Sequence, residues 1–581
     1  MSSLPPPNFP ANIPISLQTF VNWDLTIQAP NLWTCTPQSP ADVVTVCNWA
    51  KDNGYKVRAR GIMHTWSPLT VAAGTPPEAK VLLVDLTQKL NQMKLIPASG
   101  GGSARVEVGV GATMDQLMSF LEVQAGGAGP APGYSFPHIP APGHLTVGGV
   151  LAINAHGTAV ATPPLDDFNA SFGSLSNQIL ELTAVVTDPD SPTPDVYTLR
   201  TFKRGDADAR ALLTHLGRAF LVEATLQVVD NYNLRCQSIT DLTADVLFQP
   251  VTESEIVPVN SLAHFLKQSG RVEVIWFPFS QNPWLKVWSV APQQPAGSRA
   301  VASPYNYPFS DNLPEEVTTL LKQITSGAFA FLTPAFGQLM AKFTSFALDG
   351  FSLLGVQIYP RSRDLWGPSK NTMIYIKDTT LRVTADGYAV QMKKADVQQA
   401  VHDFTTKFSQ MLEDYQRFEY PPLKKPQWPI NSPLEIRVTN LDDPAKVAVG
   451  PGATAESPVI SSLSRDEVAV KNGWDVALWL DVLTLPGTPA SNQFYRELEE
   501  WIHRRFTGAA GRVMPEWSKG WAYTAEQGPW TNGPALEAIR QGYTTGRDQT
   551  NDWAYEVATL KKFDRHNLFS NPLLERLFVA P

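Results

Sequence analysis

Hydrophobic positions recur with helical and strand periods by turns along the first third of the chain. Ser39-Pro40-Ala-Asp42 sets a capping residue, a proline at the first helical position and an acid at the third, which predicts a helix through Val43, Val44, Cys47 and Trp49. Strands are expected over residues 56–60 and 81–86. Residues 104–110 alternate with period two and lead through a capping box, Thr113-Met-Asp-Gln116, into an apolar-periodic stretch over 117–121. Farther on, residues 179–186 read as a long strand and 206–216 as a helix. His215-Leu-Gly-Arg-Ala-Phe-Leu-Val222-Glu-Ala-Thr-Leu226 reads as a glycine turn entering a strand.

The pattern changes around Tyr232 to Cys236. From there to about residue 523, strands are interleaved with long, aromatic-rich, weakly charged segments, among them Trp276-Phe-Pro-Phe279 and residues 329–354. That much apolar mass suits a ligand cavity as well as a core. Two strands alternate in a telling way. In Arg271-Val-Glu273-Val-Ile275, Arg271 and Glu273 share one face and Val272 and Val274 the other; in Leu434-Glu435-Ile-Arg437-Val438, Glu435 and Arg437 lie opposite Leu434 and Ile436. Either strand fits an ordinary sheet with one wet side. Phe563-Asp-Arg-His-Asn-Leu-Phe569-Ser-Asn571-Pro572 returns to a compact, loop-rich pattern.

Length and composition narrow the class. A chain of 581 residues needs two or three domains, and 43% hydrophobic residues fill their cores. A net charge of −8 with scattered basic residues argues against a nucleic-acid partner. No apolar run approaches the ~20 residues of a bilayer span, and no signal peptide is readable at Met-Ser-Ser-Leu-Pro-Pro-Pro, which reads as an unstructured lead-in. Charged residues at 17%, with 49 prolines and 38 glycines, fit a secreted, extracellular or periplasmic protein seen in its mature form. Of the three cysteines, Cys35 and Cys47 could pair or stay as thiols, and no zinc spacing is present. No metal site is expected.

The candidate chemistry lies in two stretches. Arg58-Ala-Arg60-Gly61-Ile62-Met63-His64-Thr65-Trp-Ser67 is a strand running into a turn that offers backbone N–H groups to a pyrophosphate and an imidazole at its end. Gly143-His-Leu-Thr146-Val-Gly148-Gly149, followed by Asn154-Ala-His156-Gly157, supplies glycines where a bulky cofactor must touch main chain. Together they suggest a flavin site. Gly109-Val-Gly111 lacks the third glycine of a dinucleotide fingerprint, and the metalloprotease, esterase and P-loop motifs are missing.

In these stretches, in Gly217 to Leu226 and in Phe563 to Pro572, the chain resembles the vanillyl-alcohol-oxidase-type FAD oxidoreductases, the p-cresol methylhydroxylase fold. Within them it looks most like the bacterial type II cholesterol oxidases with covalently bound FAD. Leu365-Trp-Gly-Pro-Ser-Lys-Asn371-Thr, Leu434-Glu435-Ile-Arg437-Val-Thr and Pro515-Glu516-Trp-Ser-Lys519-Gly-Trp narrow it. One departure is Gly61-Ile62-Met63, where many relatives carry more glycine before the histidine.

The resemblance implies an α+β chain: a two-part FAD-binding domain over residues 1–235 and 524–581, around a substrate-binding cap over 236–523 with an antiparallel sheet. It implies FAD joined through its 8α carbon to His64, an attack that needs an unprotonated imidazole. Arg60 to Met63, Thr65, Ser67, Gly143, Thr146, Gly148, Gly149, Asn154, His156, Gly157, Val222 and Asn571 would surround the cofactor, and His144 would pack or bond near it. Catalytic roles fall to Glu273, Glu435, Arg437, Glu516 and Lys519. Glu273 is the expected base, its pKa raised by an apolar pocket, and Glu435 with Arg437 would gate a path for dioxygen. The implied reaction is oxidation of a sterol 3β-hydroxyl by FAD and dioxygen, with hydrogen peroxide as product and isomerisation of the 5-ene-3-one to the 4-ene-3-one. A same-family oxidase of a sugar, lactone or phenolic alcohol is the alternative, and a lipid carrier without flavin a third. Residues 329–354 could also rest transiently on a membrane surface.

Overall fold

The Ser39 side chain accepts from the backbone N–H of Asp42 at 3.2 Å and opens the helix Pro40–Asn53, which Gly54 ends at a left-handed φ of 71°. In the computed structural model of the chain, the described residues are 5–98, 103–163, 168, 170–251, 257–307, 319, 321–324, 327, 329–353, 356–375, 382–417, 425–449 and 453–579. The beginning of the expected lead-in, through Leu4, lies outside them, as does Leu354 at the end of the aromatic-rich stretch.

The helix Pro40–Asn53 covers the junction of two sheets. The first orders its strands Ile15–Val21, Gln28–Cys35, Val81–Asp85 and Lys56–Arg60, with the last three parallel. The second is antiparallel, in the order Met93–Ile96, Arg105–Gly109, Phe220–Gln227, Ile179–Thr187 and Tyr197–Lys203. Thr113 and Gln116 form the expected capping box at the helix Met114–Glu122, whose Leu117, Met118 and Leu121 are buried in the shared core. Cys35 and Cys47 settle in that core as free, buried thiols, and burial pushes Cys35 up to about 12. The helix expected over 206–216 is cut short at Arg210–Leu213. Thr214 is extended there and Leu216 takes a φ of 53°, so the His215 and Leu216 N–H groups reach the Ala152 carbonyl instead.

The third sheet carries nine strands: Arg299–Ala300, Asp364–Pro368, Asn233–Ile239, Trp284–Val290, Arg271–Trp276, Leu434–Asn440, Val476–Thr484, Thr384–Met392 and Arg512–Pro515 in spatial order. Its pairings are antiparallel except at one edge, where Arg299–Ala300 runs parallel to Asp364–Pro368. Val272, Val274, Leu434, Ile436, Leu478 and Leu480 turn to one face, where the helices Leu262–Ser269, Val397–Gln416 and Ser491–Arg505 bury them. Phe404, Phe408 and Phe494 fill that layer. The opposite face carries Glu273, Glu435 and Arg437, which line a cavity there, as the period-two pattern requires.

The helix Thr333–Asp349 supplies the expected apolar mass in an amphipathic arrangement. Phe336, Met340, Ala347 and Leu348 are buried, while Phe331, just before it, and Leu339 and Phe346 on it stay more than half exposed. No helix of the described residues is long and apolar enough to cross a membrane.

Candidate active site

A cavity of about 460 Å³ runs from the turn after Lys56–Arg60 to the polar face of the nine-stranded sheet. That volume lies within the ~300–1,000 Å³ usual for small-molecule sites. Its cofactor-side wall includes Arg60, Gly61, Ile62, Met63, His64 and Thr65, answered by Thr146, Gly148, Gly149, Asn154, His156 and Gly157.

The turn is tight although two of its three residues before the histidine are not glycine. Met63 takes a φ of 60°, a left-handed conformation usually left to glycine. Gly61 cannot be replaced cheaply: a Cβ there would stand 2.5 Å from Thr146 Oγ1. A Cβ on Gly157 would come within 2.6 Å of the Ile139 carbonyl oxygen. The loop is pinned from the other side of the cavity. Trp66 N and Ser67 N both donate to the Ser518 carbonyl, at 2.8 and 3.1 Å, and Trp66 Nε1 donates to Val383 O at 2.6 Å.

His64 is packed between Trp23, Trp66 and His144, and its Nδ1 lies 3.1 Å from His144 Nε2. Burial above all, then His144, Arg382 and Lys519, drives its pKa down to about 3, so the ring is neutral at physiological pH. His156 stacks on Trp479 with ring centroids 3.6 Å apart. Because the Gly157 carbonyl can only accept, His156 Nδ1 carries the hydrogen of their 2.9 Å bond, and Nε2 faces Glu516 at 3.8 Å.

Four expected cofactor residues are not on the cavity wall, and each is spent on protein contacts. Ser67 donates to Trp517 O at 2.7 Å. Gly143 bonds Tyr375 and Asp115 through its backbone, and Val222 lies inside the second sheet. Asn571 caps the helix Pro572–Leu577 and donates to the Pro68 and Leu69 carbonyls at 2.9 Å, tying the last segment to the loop after His64.

The expected Glu273, Glu435, Arg437, Glu516 and Lys519 all line the cavity. Register explains the meeting: Glu273 pairs across the sheet with Arg437 on one side and Lys286 on the other, and Glu435 pairs with Asp481. Lys286 Nζ lies 3.0 Å from Glu273 and sits among Trp284, Trp288 and Tyr307, nearest Trp288 at 4.7 Å from the ring centre. Arg437 reaches Glu435 at 3.5 Å, Glu273 at 3.9 Å and, most closely, Asp481. Lys519 Nζ is 2.6 Å from Asp481 and 3.4 Å from Glu516.

The reason given for Glu273 as a base needs correcting. Burial does raise its pKa, but Lys286, Arg437 and Lys519 outweigh burial, and the carboxyl is held below its ordinary value. Asp481 is the group that goes the other way, pushed up to about 7 by burial and by Glu516. Sequence reasoning passed over both Asp481 and Lys286. The signal was one acid in an otherwise apolar run, Val476-Ala-Leu-Trp-Leu-Asp481-Val-Leu-Thr484, and one lysine between two tryptophans.

A family model described as an FAD binding domain matches residues 33–185, and one described as cholesterol oxidase, substrate-binding, matches residues 233–579. A solved structure of a solvent-stable cholesterol oxidase is 44% identical, with a TM-score of 0.89 over 99% of this chain and 100% of that one. The chain belongs to the cholesterol oxidase family. Another member, from Brevibacterium sterolicum, is 36% identical with a TM-score of 0.88 over 100% of both chains. Glucooligosaccharide oxidase from Acremonium strictum, 11% identical over 95% of this chain and 93% of that one, shares the fold alone at a TM-score of 0.51. A search of curated proteins returned no match. The stretch from His64 to Gly157, together with His215, fits the FAD that the family's cofactor domain takes: backbone close enough to exclude side chains, a neutral imidazole, and two buried polar atoms on the wall, Asn154 Oδ1 and His215 Nε2, that no group of the described residues satisfies.

Proposed function

We propose that the protein oxidises the 3β-hydroxyl of cholesterol-like sterols, passing the electrons to dioxygen to give hydrogen peroxide, and isomerises the 5-ene-3-one to the conjugated 4-ene-3-one. One observation carries the reading: a single cavity joins the glycine-walled His64 end to a charged floor across apolar walls of Ile275, Phe277, Trp284, Met340 and Leu483. A fused carbocycle binds such walls by desolvation, at roughly 25 cal/mol per Å² of apolar surface. A sugar would leave its hydroxyls unpaired against them.

Bound FAD would supply the two-electron acceptor that hands electrons to dioxygen. The chain supplies the rest. His64, held neutral by burial, has a nitrogen free to bond the 8α carbon of the flavin, and His144 3.1 Å away is placed to share the proton that the ring gives up. The carboxyls of Glu273, Glu435 and Glu516 accept from the sterol hydroxyl, while Arg437 and Lys519 stabilise negative charge on its oxygen. Glu273 is ion-paired too firmly to be the resting place of the released proton.

The same reading includes three further points. The segments 1–235 and 524–581 form the cofactor unit around a substrate unit over 236–523, supported by the Val57 N–H donating to Leu568 O and by Arg58 donating to both Gly217 O and Phe569 O. The exposed Phe331, Leu339 and Phe346, on the stretch whose Met340 and Thr344 line the cavity, support transient contact with the membrane that holds the substrate. The low charge content, 17%, supports work outside the cytoplasm.

Peroxide release from cholesterol and from a panel of sugars, lactones and phenolic alcohols tests the proposal. Turnover of cholesterol is expected; turnover of the panel alone would reject it.

A further inference from the structure

Six carboxyl groups crowd the floor of the cavity and the strands around it: Glu273, Glu435, Asp481, Glu516, Asp386 and Glu499. Three cations, Lys286, Arg437 and Lys519, stand against them. Ionised throughout, the cluster would keep more negative than positive charge out of water even with Arg271, buried on the same strand face as Glu273, counted among the cations, which is costly. Two contacts lower that surplus. Asp481 lies within hydrogen-bonding reach of Glu516, and Asp386 of Glu499. A bond between two carboxyls requires a proton between them, since an ionised carboxylate only accepts.

The geometry of the first pair points the same way. Asp481 Oδ1 and Glu516 Oε2 are buried oxygens that no N–H or O–H group of the described residues reaches. Both lie against Gly387, 2.6 and 3.3 Å from where a Cβ would stand. Their other oxygens hold the partners: Asp481 Oδ2 takes Arg437 and Lys519, and Glu516 Oε1 faces Lys519 at 3.4 Å and His156 at 3.8 Å. In the second pair Glu499 accepts from Tyr388 Oη at 2.8 Å and from Tyr523 N at 2.9 Å, while Asp386 Oδ1 has no donor among the described residues.

We infer that Asp481 and Glu516 act as one acid–base unit with its proton between them, Glu516 exchanging that proton with the cavity and Asp481 positioning it, while Asp386 and Glu499 keep a second, resident proton. The inference deepens the sterol oxidase reading. Oxidation of the alcohol, begun with the unit ionised, breaks a C–H bond, whose hydrogen leaves with both electrons, and an O–H bond, whose proton passes through Glu516 to rest between it and Asp481. Dioxygen takes the two electrons with two protons, one from the transferred hydride and one returned from this unit, so the balance closes at hydrogen peroxide. The directions of titration agree. Burial and Glu516 push Asp481 up to about 7, and although burial raises Glu516 as well, Lys519, His156 and Arg437 hold it well below the carboxylate range. The unit therefore changes charge near neutrality, where a group gives and takes protons with similar ease.

Infrared difference spectra of the holoenzyme in H2O and D2O test it. Wild type should show isotope-sensitive protonated-carboxyl stretches, one from Asp481 and Glu516 that titrates near neutral pH and another from Asp386 and Glu499, beside that of the buried Glu556. Asp481→Asn keeps the shape and offers an amide N–H to Glu516; it should remove the titrating band and flatten the neutral limb of the kcat–pH profile, with flavin absorbance retained. Glu499→Gln should remove only the band it shares with Asp386. If Asp481→Asn fails to fold, Glu516→Gln must remove the titrating band instead. Absence of that band from wild type, or its survival in these variants, overturns the unit. A titrating band without sterol turnover defeats the oxidase reading and leaves the pair standing; turnover without the band does the reverse.

Discussion

Replacing Lys286 by methionine would strip Glu273 of its nearest cation while keeping most of the side-chain volume among Trp284, Trp288 and Tyr307. Breaking one side of a buried ion pair costs about 3–5 kcal/mol, because the remaining charge is left out of water. Arg437 stays 3.9 Å from Glu273 but is engaged more closely with Asp481, so it covers only part of the loss. At 1.36 kcal/mol per pKa unit, about 3–5 kcal/mol corresponds to a rise of roughly two to four units at Glu273. The pH dependence of stability shifts with it. In wild type the pKa of Glu273 is depressed, so its contribution to stability is present above the unfolded value and lost as pH falls through the folded one. In Lys286→Met the folded pKa rises from that depressed value, and the stability the pair gave is lost as pH rises through the interval between the two folded values. Melting temperatures of both proteins between pH 4 and 8 would read this directly, with the gap widening as pH rises. Lys286→Met combined with Glu273→Gln should recover most of the loss, since neither buried charge remains. A gap that does not change with pH, or a double variant no better than the single one, would refute the reasoning.

His64→Ala should leave the flavin extractable by acid precipitation, whereas wild type should keep its yellow colour in the pellet. Gly387→Ala would push a Cβ to 2.6 Å from Asp481 Oδ1 and 2.8 Å from Lys519 Cδ, and should lower kcat by roughly 10–100-fold with little change in KM for cholesterol. Cys35, Cys47 and Cys236 are free and buried with raised pKa values, so a thiol reagent should find no reactive group in the native protein and three after denaturation. Phe331→Glu with Phe346→Glu should weaken flotation with cholesterol-containing liposomes and slow turnover from them, while turnover of detergent-dispersed cholesterol stays within about twofold of wild type.

The features legible in the sequence are those that local geometry enforces. The pleat sends alternate side chains to opposite faces, so Glu273, Glu435 and Arg437 could be assigned to one polar surface before any register was known. Caps such as Ser39 and Thr113 announce themselves because their partners sit three residues away. What escaped depends on pairing between distant segments. Lys286 becomes part of the site only through its place opposite Glu273, and Asp481 only because Gly387 beside it leaves room for Glu516 and Lys519. Val476–Thr484 is buried at every position and reads as plain core until its neighbours are known. Ser67 and Asn571 brace the loop at His64 from behind, a placement set by where Trp517 and Pro68 lie in space.

The central claim is that one cavity carries a flavin at its His64 end and a sterol over its charged floor. Mixing the purified yellow protein with cholesterol in the absence of oxygen tests this most directly. The account predicts that the visible flavin absorbance bleaches, then returns on admission of air with one hydrogen peroxide formed for each 4-ene-3-one. Absorbance unchanged by cholesterol but bleached by a sugar would contradict it.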